Sequence, residues 1–323
     1  MSPPAKIGVL LVNLGTPDAA DARSVRRYLA EFLSDRRVVE IPQILWQPIL
    51  RGIILPLRPR RSARAYAQIW TDAGSPLAAI TRAQADGLRT AFGETVQVAW
   101  AMRYGRPAIG PAIDALKAAG CERILVAPLY PQYCAATTAT VVDAVSAHLK
   151  TLRWQPTLRF VPPYHDDPAY LDALKTSVEA GLAALDFAPD ILLASFHGMP
   201  ERTRMLGDPY HDQCQATARA LSATLGRPVE VAFQSRFGRA KWLEPATDVR
   251  LEQLGREGRN VAVFAPGFSA DCLETLEELA IRGSEQFGRA GGGRFAYLPC
   301  LNAEAPGMAM LEALVRRELA GWL

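Results

Sequence analysis

The stretch 188–200, APDILLASFHGMP, decides the fold, because a continuous apolar run ends there in one histidine and a turn. Similar apolar runs recur along the chain, and each is followed by a turn and a segment with helical periodicity. Buried parallel strands are nearly continuous apolar runs, and strands that alternate with helices are typical of doubly wound α/β proteins. The sequence therefore predicts parallel sheets covered by helices.

The alternating pattern occurs twice along the 323 residues, a length that favours two domains over one. The predicted strands lie near residues 7–13, 96–101 and 123–128 in one half and 190–195, 229–233, 260–264 and 295–298 in the other. The clearest predicted helices are 21–33, 111–120, 170–185 and 213–226. The proline-rich segment 159–170, RFVPPYHDDPAY, is the expected crossover. We predict two related α/β domains, 1–160 and 161–305, with a cleft between them and a helix over 306–323 that packs back.

The composition describes a folded globular protein and argues against several classes. Hydrophobic residues make up 49% of the chain, and the net charge of +3 is too small to suggest a nucleic-acid partner. The five cysteines are scattered without a C-x-x-C pair, which argues against a zinc ribbon or a disulfide framework and fits a reducing cytosol. We expect neither a signal peptide nor a membrane span, and hence a cytoplasmic protein.

The segment 41–64, IPQILWQPILRGIILPLRPRRSAR, combines an apolar group with five arginines. One interpretation is a core helix followed by a solvated basic turn. The other is an apolar lip with a cationic flank, able to rest on an anionic membrane or to accept an apolar ligand that carries carboxylates. The residues alone favour the first interpretation but leave both open.

His197 stands where a parallel sheet places its ligands. In open parallel sheets the ligand crevice lies beyond the carboxyl ends of the strands. His197 directly follows the predicted strand 190–195, and the loop 265–274 directly follows the strand 260–264. An arbitrary histidine is more often part of the packing, but a Gly and a Pro force a turn directly after this one. We therefore interpret His197 as a proton acceptor or a ligand of a divalent metal.

Two acids open the predicted helix 271–280, DCLETLEELA. Glu274 and Glu278 are four residues apart and would share one helix face, whereas Glu277 would point elsewhere. An acidic helix N-terminus can simply complement the helix dipole. Two aligned carboxylates without a lysine one turn further on repel each other, however, and carboxylates with an imidazole suit Fe(II), Mn(II) or Zn(II). They also suit the acceptance of protons.

Other stretches allow a structural or a functional interpretation. In 232–248, Trp242 lies among cationic residues that include Arg239 and suits a flat conjugated ligand with acid groups, or it caps the core. Arg103 and Tyr104 share this ambiguity. Thr16 in LGTPD is the expected N-cap of the following helix, but no nucleotide-binding fingerprint accompanies it.

Taken in chain order, these stretches resemble the ferrochelatases, enzymes that insert ferrous iron into a porphyrin to make haem. The matching stretches span nearly the whole chain and include LLVNLGTPD (10–18), SFHGMPER (195–202), FQSRFGR (233–239) and PGFSADCLETLEE (266–278). Each stretch is moderately specific, and the ordered set is highly specific. The resemblance implies an α/β fold of two Rossmann-like, doubly wound domains around a porphyrin cleft, with 41–64 as the apolar lip.

The resemblance also implies roles for particular residues. His197 and Glu274 match the catalytic pair and the expected metal ligands, and Glu278 matches the next acid in a line that handles metal or protons. The family often has a π-type distortion in this helix. The implied substrate-binding residues are Leu14, Arg58, Tyr66, Arg103, Tyr104, Ser235, Trp242 and Phe268.

The chain departs from the family pattern at three points. Arg282 stands where a third acid is expected, which puts an extended acidic path in doubt. Cys272 replaces a second histidine, so a histidine there is not essential to the chemistry. No cysteine follows Cys300, and Ala135 occupies an internal cluster-ligand position, so we expect no iron–sulfur cluster and no other permanently bound cofactor.

The activity implied by the resemblance is insertion of Fe(II) into protoporphyrin IX to form protohaem, the last step of haem biosynthesis, with loss of two pyrrole protons. Implied partners are the porphyrin, ferrous iron and, through the lip, the inner face of the membrane, with the chain a monomer or weak dimer. Alternatives are a chelatase for coproporphyrin or for Co or Ni in a related ring, a non-catalytic haem carrier and, weakest, a metal-dependent phosphoesterase.

Overall fold

Two compact units make up the chain in a computed structural model that describes residues 6–238 and 240–323. The N-terminal unit contains the described residues up to Leu129, Cys134–Pro162 and Leu311–Leu323, and the C-terminal unit contains Tyr130–Tyr133 and Pro163–Met310. Each unit has a four-stranded parallel sheet with helices between its strands. The predicted α/β class with two doubly wound halves is therefore confirmed.

The sheet of the N-terminal unit has the order β2-β1-β3-β4. Its strands are β1 (Lys6–Thr16), β2 (Val96–Gly105), β3 (Cys121–Pro128) and β4 (Thr157–Phe160). The helices before β2 are α1 (Ala22–Phe32), α2 (Gln43–Ile49), π1 (Leu50–Ile54), α3 (Leu55–Ile69) and α4 (Pro76–Phe92), followed by a 3₁₀ turn (Gly93–Thr95). The later helices are α5 (Ile109–Ala118), π2 (Ala135–Ala139) and α6 (Thr140–Leu149). The central strand β1 is buried almost throughout, as a strand paired on both edges and covered on both faces must be.

The sheet of the C-terminal unit repeats this arrangement with the order β6-β5-β7-β8. Its strands are β5 (Ile191–His197), β6 (Glu230–Gln234), β7 (Val261–Phe264) and β8 (Phe295–Leu298). Its helices are α7 (Pro168–Ala183), α8 (Glu201–Met205), α9 (Tyr210–Leu225), α10 (Thr247–Arg256), π3 (Leu273–Gly283) and α11 (Ser284–Arg289). The last helix, α12 (Ala305–Glu318), begins in this unit, and its residues from Leu311 onward belong to the N-terminal unit.

All seven predicted strands are confirmed, and one strand escaped prediction. The predicted crossover 159–170 starts with the last two residues of β4 and ends in the first turn of α7. The expected N-cap at Thr16 is wrong: Thr16 is the last residue of β1, and its hydroxyl donates to Ser75 Oγ over 2.8 Å. Helix α1 is capped instead by Asp21, whose Oδ1 accepts from two backbone amides of the first turn.

The segment 41–64 is helical from Gln43 onward and carries an exposed apolar face. Its exposed large residues, which we call the apolar face, are Ile41, Ile44, Leu45, Ile49, Ile53 and Leu57. Ile44 and Leu57 are the extremes, at 84% and 72% exposed. The interpretation as a core helix with a basic turn is wrong here, because these side chains face outward and the arginines from Arg58 to Arg64 lie within α3. Within the described part of the chain, no helix has the length and apolar character to span a bilayer.

Candidate functional site

His197 is the last residue of β5, at the carboxyl edge of the second sheet, and is half-buried. Its Nδ1 lies 2.7 Å from the carbonyl oxygen of Gly198. A carbonyl oxygen can only accept, so Nδ1 carries the proton and the lone pair of the neutral ring is on Nε2. Among the described residues Nε2 has no hydrogen-bond partner, so the lone pair is available to a proton or a metal.

Position 198 has no room for a side chain, which explains why a glycine follows His197. The amide of Gly198 donates to the carbonyl of Gln234 over 2.7 Å, and a Cβ at this position would lie only 2.5 Å from that oxygen. The turn beyond it is paired with the segment around Trp242, through Leu243 N to Met199 O and through Glu201 N to Lys241 O, both 2.9 Å. A residue with a side chain at 198 would push the two strand ends apart and move the histidine.

Gln234 joins the edge of the sheet to the acidic helix. It is 2% exposed, at the end of β6, directly beside His197 in the strand register. Its Oε1 accepts from Ser195 Oγ and its Nε2 donates to the backbone carbonyl of Glu274, both over 2.7 Å. Ser195 Oγ also lies 2.8 Å from Thr247 Oγ1. A single buried amide therefore links the strand of His197 to the first turn of π3.

The helix that carries the acids is a π-helix over its whole length, Leu273–Gly283, which confirms the distortion implied by the resemblance. Cys272 caps it: the thiol accepts from the amide of Thr275, whose hydroxyl accepts from Cys272 N over 2.9 Å. Burial raises the pKa of the Cys272 thiol well above its ordinary value, and the nearby Glu274 carboxylate adds to the shift. The thiol is therefore neutral and packs at the helix start.

The carboxylate of Glu278 accepts hydrogen bonds from Ser235 and lies near the guanidinium of Arg282. Its Oε1 accepts from Ser235 N over 2.8 Å and its Oε2 from Ser235 Oγ over 2.6 Å, while Arg282 Nη2 lies 3.6 Å from Oε2. Arg282 also lies 3.4 Å from Glu277. One guanidinium therefore contacts both acids, which are neighbours in the sequence. The expectation that Glu277 points away from the face of Glu274 and Glu278 stays a prediction.

A cavity of about 420 Å³ opens beside this contact. Of the predicted site residues, Ser235, Trp242 and Glu278 line it, together with Arg236, Lys241 and Arg282. Trp242 is held by its indole N–H, which donates to Phe237 O over 2.9 Å. His197, Glu274 and Phe268 are not among the lining residues. Arg239, which the sequence placed among the cations here, lies outside the described residues.

Phe268 is a neighbour of the histidine. The centroid of its ring lies 6.5 Å from that of His197, and Phe268 packs against the core of the C-terminal unit. Across residues 6–238 and 240–323, no three His, Cys, Asp or Glu side chains are grouped so that they could hold a metal ion. The assignment of His197 and Glu274 as metal ligands stays a prediction.

In the N-terminal unit, Arg103 and Tyr104 meet at Asp35. Asp35 Oδ2 accepts from Arg103 Nη2 over 2.5 Å and from Tyr104 OH over 2.9 Å, and its Oδ1 accepts from the amide of Arg37. Burial raises the pKa of the Tyr104 hydroxyl, which therefore stays protonated. Both predicted residues, near the end of β2, are thus held in place by the carboxylate of Asp35.

The other predicted residues of this unit lie on two elements. Leu14 is in β1 between the register pairs Asn13–Met102 and Gly15–Tyr104, which places it beside Arg103 at the sheet edge. Arg58 and Tyr66 are both in α3; Tyr66 is 6% exposed. The structure thus gathers Leu14, Arg103 and Tyr104 at one edge, and the role of all five in binding substrate stays a prediction.

Sequence reasoning missed the residues that support the site, namely Gln234, Ser195, Thr247 and Asp35. A signal was present for two of them. Ser195 and Gln234 are polar residues inside otherwise apolar strands, and a buried polar side chain needs a partner. Asp35, in a turn after α1, gave no such signal, because its partners are almost 70 residues away in the sequence.

Both the two-sheet α/β fold and the sequence have counterparts among known proteins. The chain is similar to the solved structure of SirB from Bacillus subtilis with Fe3+, at a TM-score of 0.59 and 12% identity, covering 98% of this chain and 97% of that one. Its sequence is 56% identical to a ferrochelatase from Rhizobium meliloti, over 98% of this chain and 96% of that protein, and 54% identical to one from Allorhizobium ampelinum, over 98% and 95%. The family model for ferrochelatase matches residues 6–319. The chain belongs to the ferrochelatase family and is a metal-chelating enzyme.

Proposed function

We propose that the chain inserts Fe(II) into protoporphyrin IX to form protohaem, the last step of haem biosynthesis. In this reaction two pyrrole N–H bonds break and two protons leave, while four Fe–N bonds form, two to the resulting anionic nitrogens and two to the neutral imine-type nitrogens. The observation that carries the proposal is the fixed tautomer of His197, whose Nε2 lone pair is free at the edge of the sheet. A neutral imidazole in this state can take a proton from a pyrrole nitrogen near neutral pH.

Glu274 is the second group in the proposed chemistry. Its position is set through its own backbone, because Gln234 binds its carbonyl and Cys272 caps the helix just before it. A carboxylate and an imidazole bind ferrous iron as a small set of oxygen and nitrogen ligands, which lets the metal be surrendered to the ring. We assign proton acceptance to His197 and a shared role in metal binding to His197 and Glu274.

The proposed porphyrin-binding residues are those that the family resemblance implies. In the C-terminal unit they are Ser235, Trp242 and Phe268, and in the N-terminal unit Leu14, Arg58, Tyr66, Arg103 and Tyr104. A half-buried indole and a phenyl ring suit the face of a conjugated macrocycle, and guanidinium groups suit its propionates. The similarity to ferrochelatases over nearly the whole chain supports these assignments.

The test is an anaerobic incubation of the full chain with a metal and a porphyrin, followed by absorption spectroscopy. Parallel samples contain Fe(II), Co(II) or Zn(II), each with protoporphyrin IX or coproporphyrin. We expect the fastest conversion with Fe(II) and protoporphyrin IX. Faster conversion of coproporphyrin would contradict the assignment of protoporphyrin IX as the substrate, and faster insertion of another metal would contradict the assignment of Fe(II). Porphyrin binding without metal insertion would indicate a carrier.

We further propose that the chain is cytoplasmic and touches the inner face of the membrane through the apolar face. A helical surface with exposed isoleucines and leucines beside Arg51, Arg58 and Arg60 suits an anionic bilayer. The test is co-sedimentation with vesicles of phosphatidylglycerol or of phosphatidylcholine. We expect binding to the anionic vesicles, which Ile44→Ser with Leu57→Ser removes and Met205→Ser with Leu206→Ser, an equally exposed pair elsewhere, does not. Equal loss in both variants would contradict the assignment.

We propose that no permanent cofactor accompanies this activity. The five cysteines are all buried and none is in a disulfide. For Cys272 and Cys300, burial raises the pKa of the thiol well above its ordinary value, which disfavours the thiolate that an iron–sulfur cluster needs. Protein purified without oxygen is expected to lack the visible absorption and the iron and sulfide content of such a cluster.

A further inference from the structure

Arg282 occupies an unusual position among the acids of π3. Its Nη2 lies 3.4 Å from Glu277 Oε2 and 3.6 Å from Glu278 Oε2. The two glutamate side chains are only 17% and 20% exposed, whereas the Arg282 side chain is 54% exposed. One cation therefore neutralises two neighbouring, mostly buried carboxylates from the solvent side.

This double contact depends on the π-helix. In an α-helix, the residue five positions ahead points about 140° away, so Arg282 could reach Glu278 but not Glu277. In a π-helix, hydrogen bonds run from residue i to i+5, and the fifth residue returns to the same side. Arg282 can therefore contact both Glu278, four positions before it, and Glu277, five positions before it. Each contact stabilises the π-helical hydrogen-bond pattern.

Glu278 also binds Ser235, and this contact engages both of the carboxylate oxygens that a metal would need. Both of its oxygens accept hydrogen bonds from Ser235, one from the amide and one from the hydroxyl. Ser235 has a φ of 64°, a left-handed conformation that is costly for a residue with a side chain. The two hydrogen bonds hold Ser235 in this conformation and so fix the start of the loop that leads to Trp242.

We propose that Arg282 is a positioning residue for the chelation reaction, a built-in counter-ion that keeps Glu277 and Glu278 from capturing a divalent metal. With Arg282 in place, Glu278 stays on Ser235, and the metal is left to His197 and Glu274. Glu278 and Arg282 line the same cavity, so a metal ion that enters it meets the guanidinium beside the carboxylate. This inference deepens the proposed function and rests on it for the identity of the metal substrate.

The test compares the full-length Arg282→Gln variant with Arg289→Gln. Arg289 forms the same kind of pair, four residues from Glu285 at 2.7 Å, and is 76% exposed, so its loss changes the net charge equally without touching π3. Mn(II) binding is measured by electron paramagnetic resonance without porphyrin. Removal of the counter-ion next to two carboxylates is expected to tighten Mn(II) binding about tenfold in Arg282→Gln only.

A kinetic readout separates positioning from simple structural loss. Mg(II) prefers carboxylate oxygens to imidazole. Added Mg(II) is therefore expected to lower kcat of Arg282→Gln, by drawing Glu278 off Ser235, with the KM for Fe(II) little changed and no effect on Arg289→Gln. Mn(II) binding as weak in Arg282→Gln as in Arg289→Gln would overturn the proposal. Because that binding needs no porphyrin, it decides the matter even if the wild-type chain fails to insert iron.

Discussion

The buried amide of Gln234 gives the most specific prediction about the site, tested by Gln234→Leu. Leucine has a similar volume, so the change removes two hydrogen bonds without opening a large cavity. Each such bond contributes about 0.5–1.5 kcal/mol. Ser195 keeps its contact with Thr247 at 2.8 Å, whereas the carbonyl of Glu274 loses the amide that joins it to β6. We expect local destabilisation of about 1–3 kcal/mol.

Hydrogen exchange followed by mass spectrometry measures this locally, which matters because the chain has two units. Peptides covering 191–197 and 273–283 are expected to exchange faster, because the edge of β5 and the start of π3 lose their link. Iron insertion is expected to fall at least about tenfold, since a small displacement of a catalytic group is costly.

Gln132→Leu is the matched control for Gln234→Leu. Gln132 is also 2% exposed and lies in the same unit, where its Nε2 donates to Thr217 Oγ1 over 3.0 Å. We expect Gln132→Leu to lose stability but to keep insertion per folded molecule. Unchanged exchange in 273–283, or an equal loss of insertion in both variants, would refute the linking role of Gln234.

Three further variants test neighbouring parts of the site. Gly198→Ala is expected to cut insertion strongly in a folded protein, since its methyl would lie 2.5 Å from Gln234 O; unchanged kinetics would contradict the close approach. Asp35→Asn is expected to cost about 2 kcal/mol and to raise the porphyrin KM more than it lowers kcat, because Arg103 loses its charged partner. Glu278→Gln, which can still accept and donate at Ser235, is expected to lose less insertion than Glu278→Ala; equal losses would indicate that the charge itself is used.

The strands were the most predictable feature of the chain. A buried parallel strand leaves a continuous apolar run, and seven of the observed strands have one. β4 was missed because Arg159 interrupts its apolar pattern and its second half overlaps the proline-rich segment that was predicted as the crossover. Thr16 was mistaken for an N-cap because its side chain suits that role, but the strand continues through it and Asp21 has the better-placed carboxylate.

The site was less predictable, because it depends on distances that sequence spacing does not set. His197 could be located from the end of one strand. The contact of Arg282 with both Glu277 and Glu278 could not be predicted, because reasoning from spacing assumed 3.6 residues per turn, whereas π3 turns less per residue. The family resemblance implied that distortion, and composition did not. The exposed apolar face over 41–57 was also undecided, since an apolar helical segment reads alike whether it packs inward or outward.

The most direct measurement compares wild type with His197→Ala under anaerobic conditions, with Fe(II) and protoporphyrin IX, while porphyrin binding is followed separately by fluorescence. Wild type should convert the porphyrin to haem, and the variant should bind porphyrin yet insert iron at least about 100-fold more slowly, the usual scale of general acid–base catalysis. His211→Ala, which removes another half-buried ring of the same unit, should retain insertion. Insertion by His197→Ala at close to the wild-type rate would contradict the assignment of Nε2 as the proton acceptor.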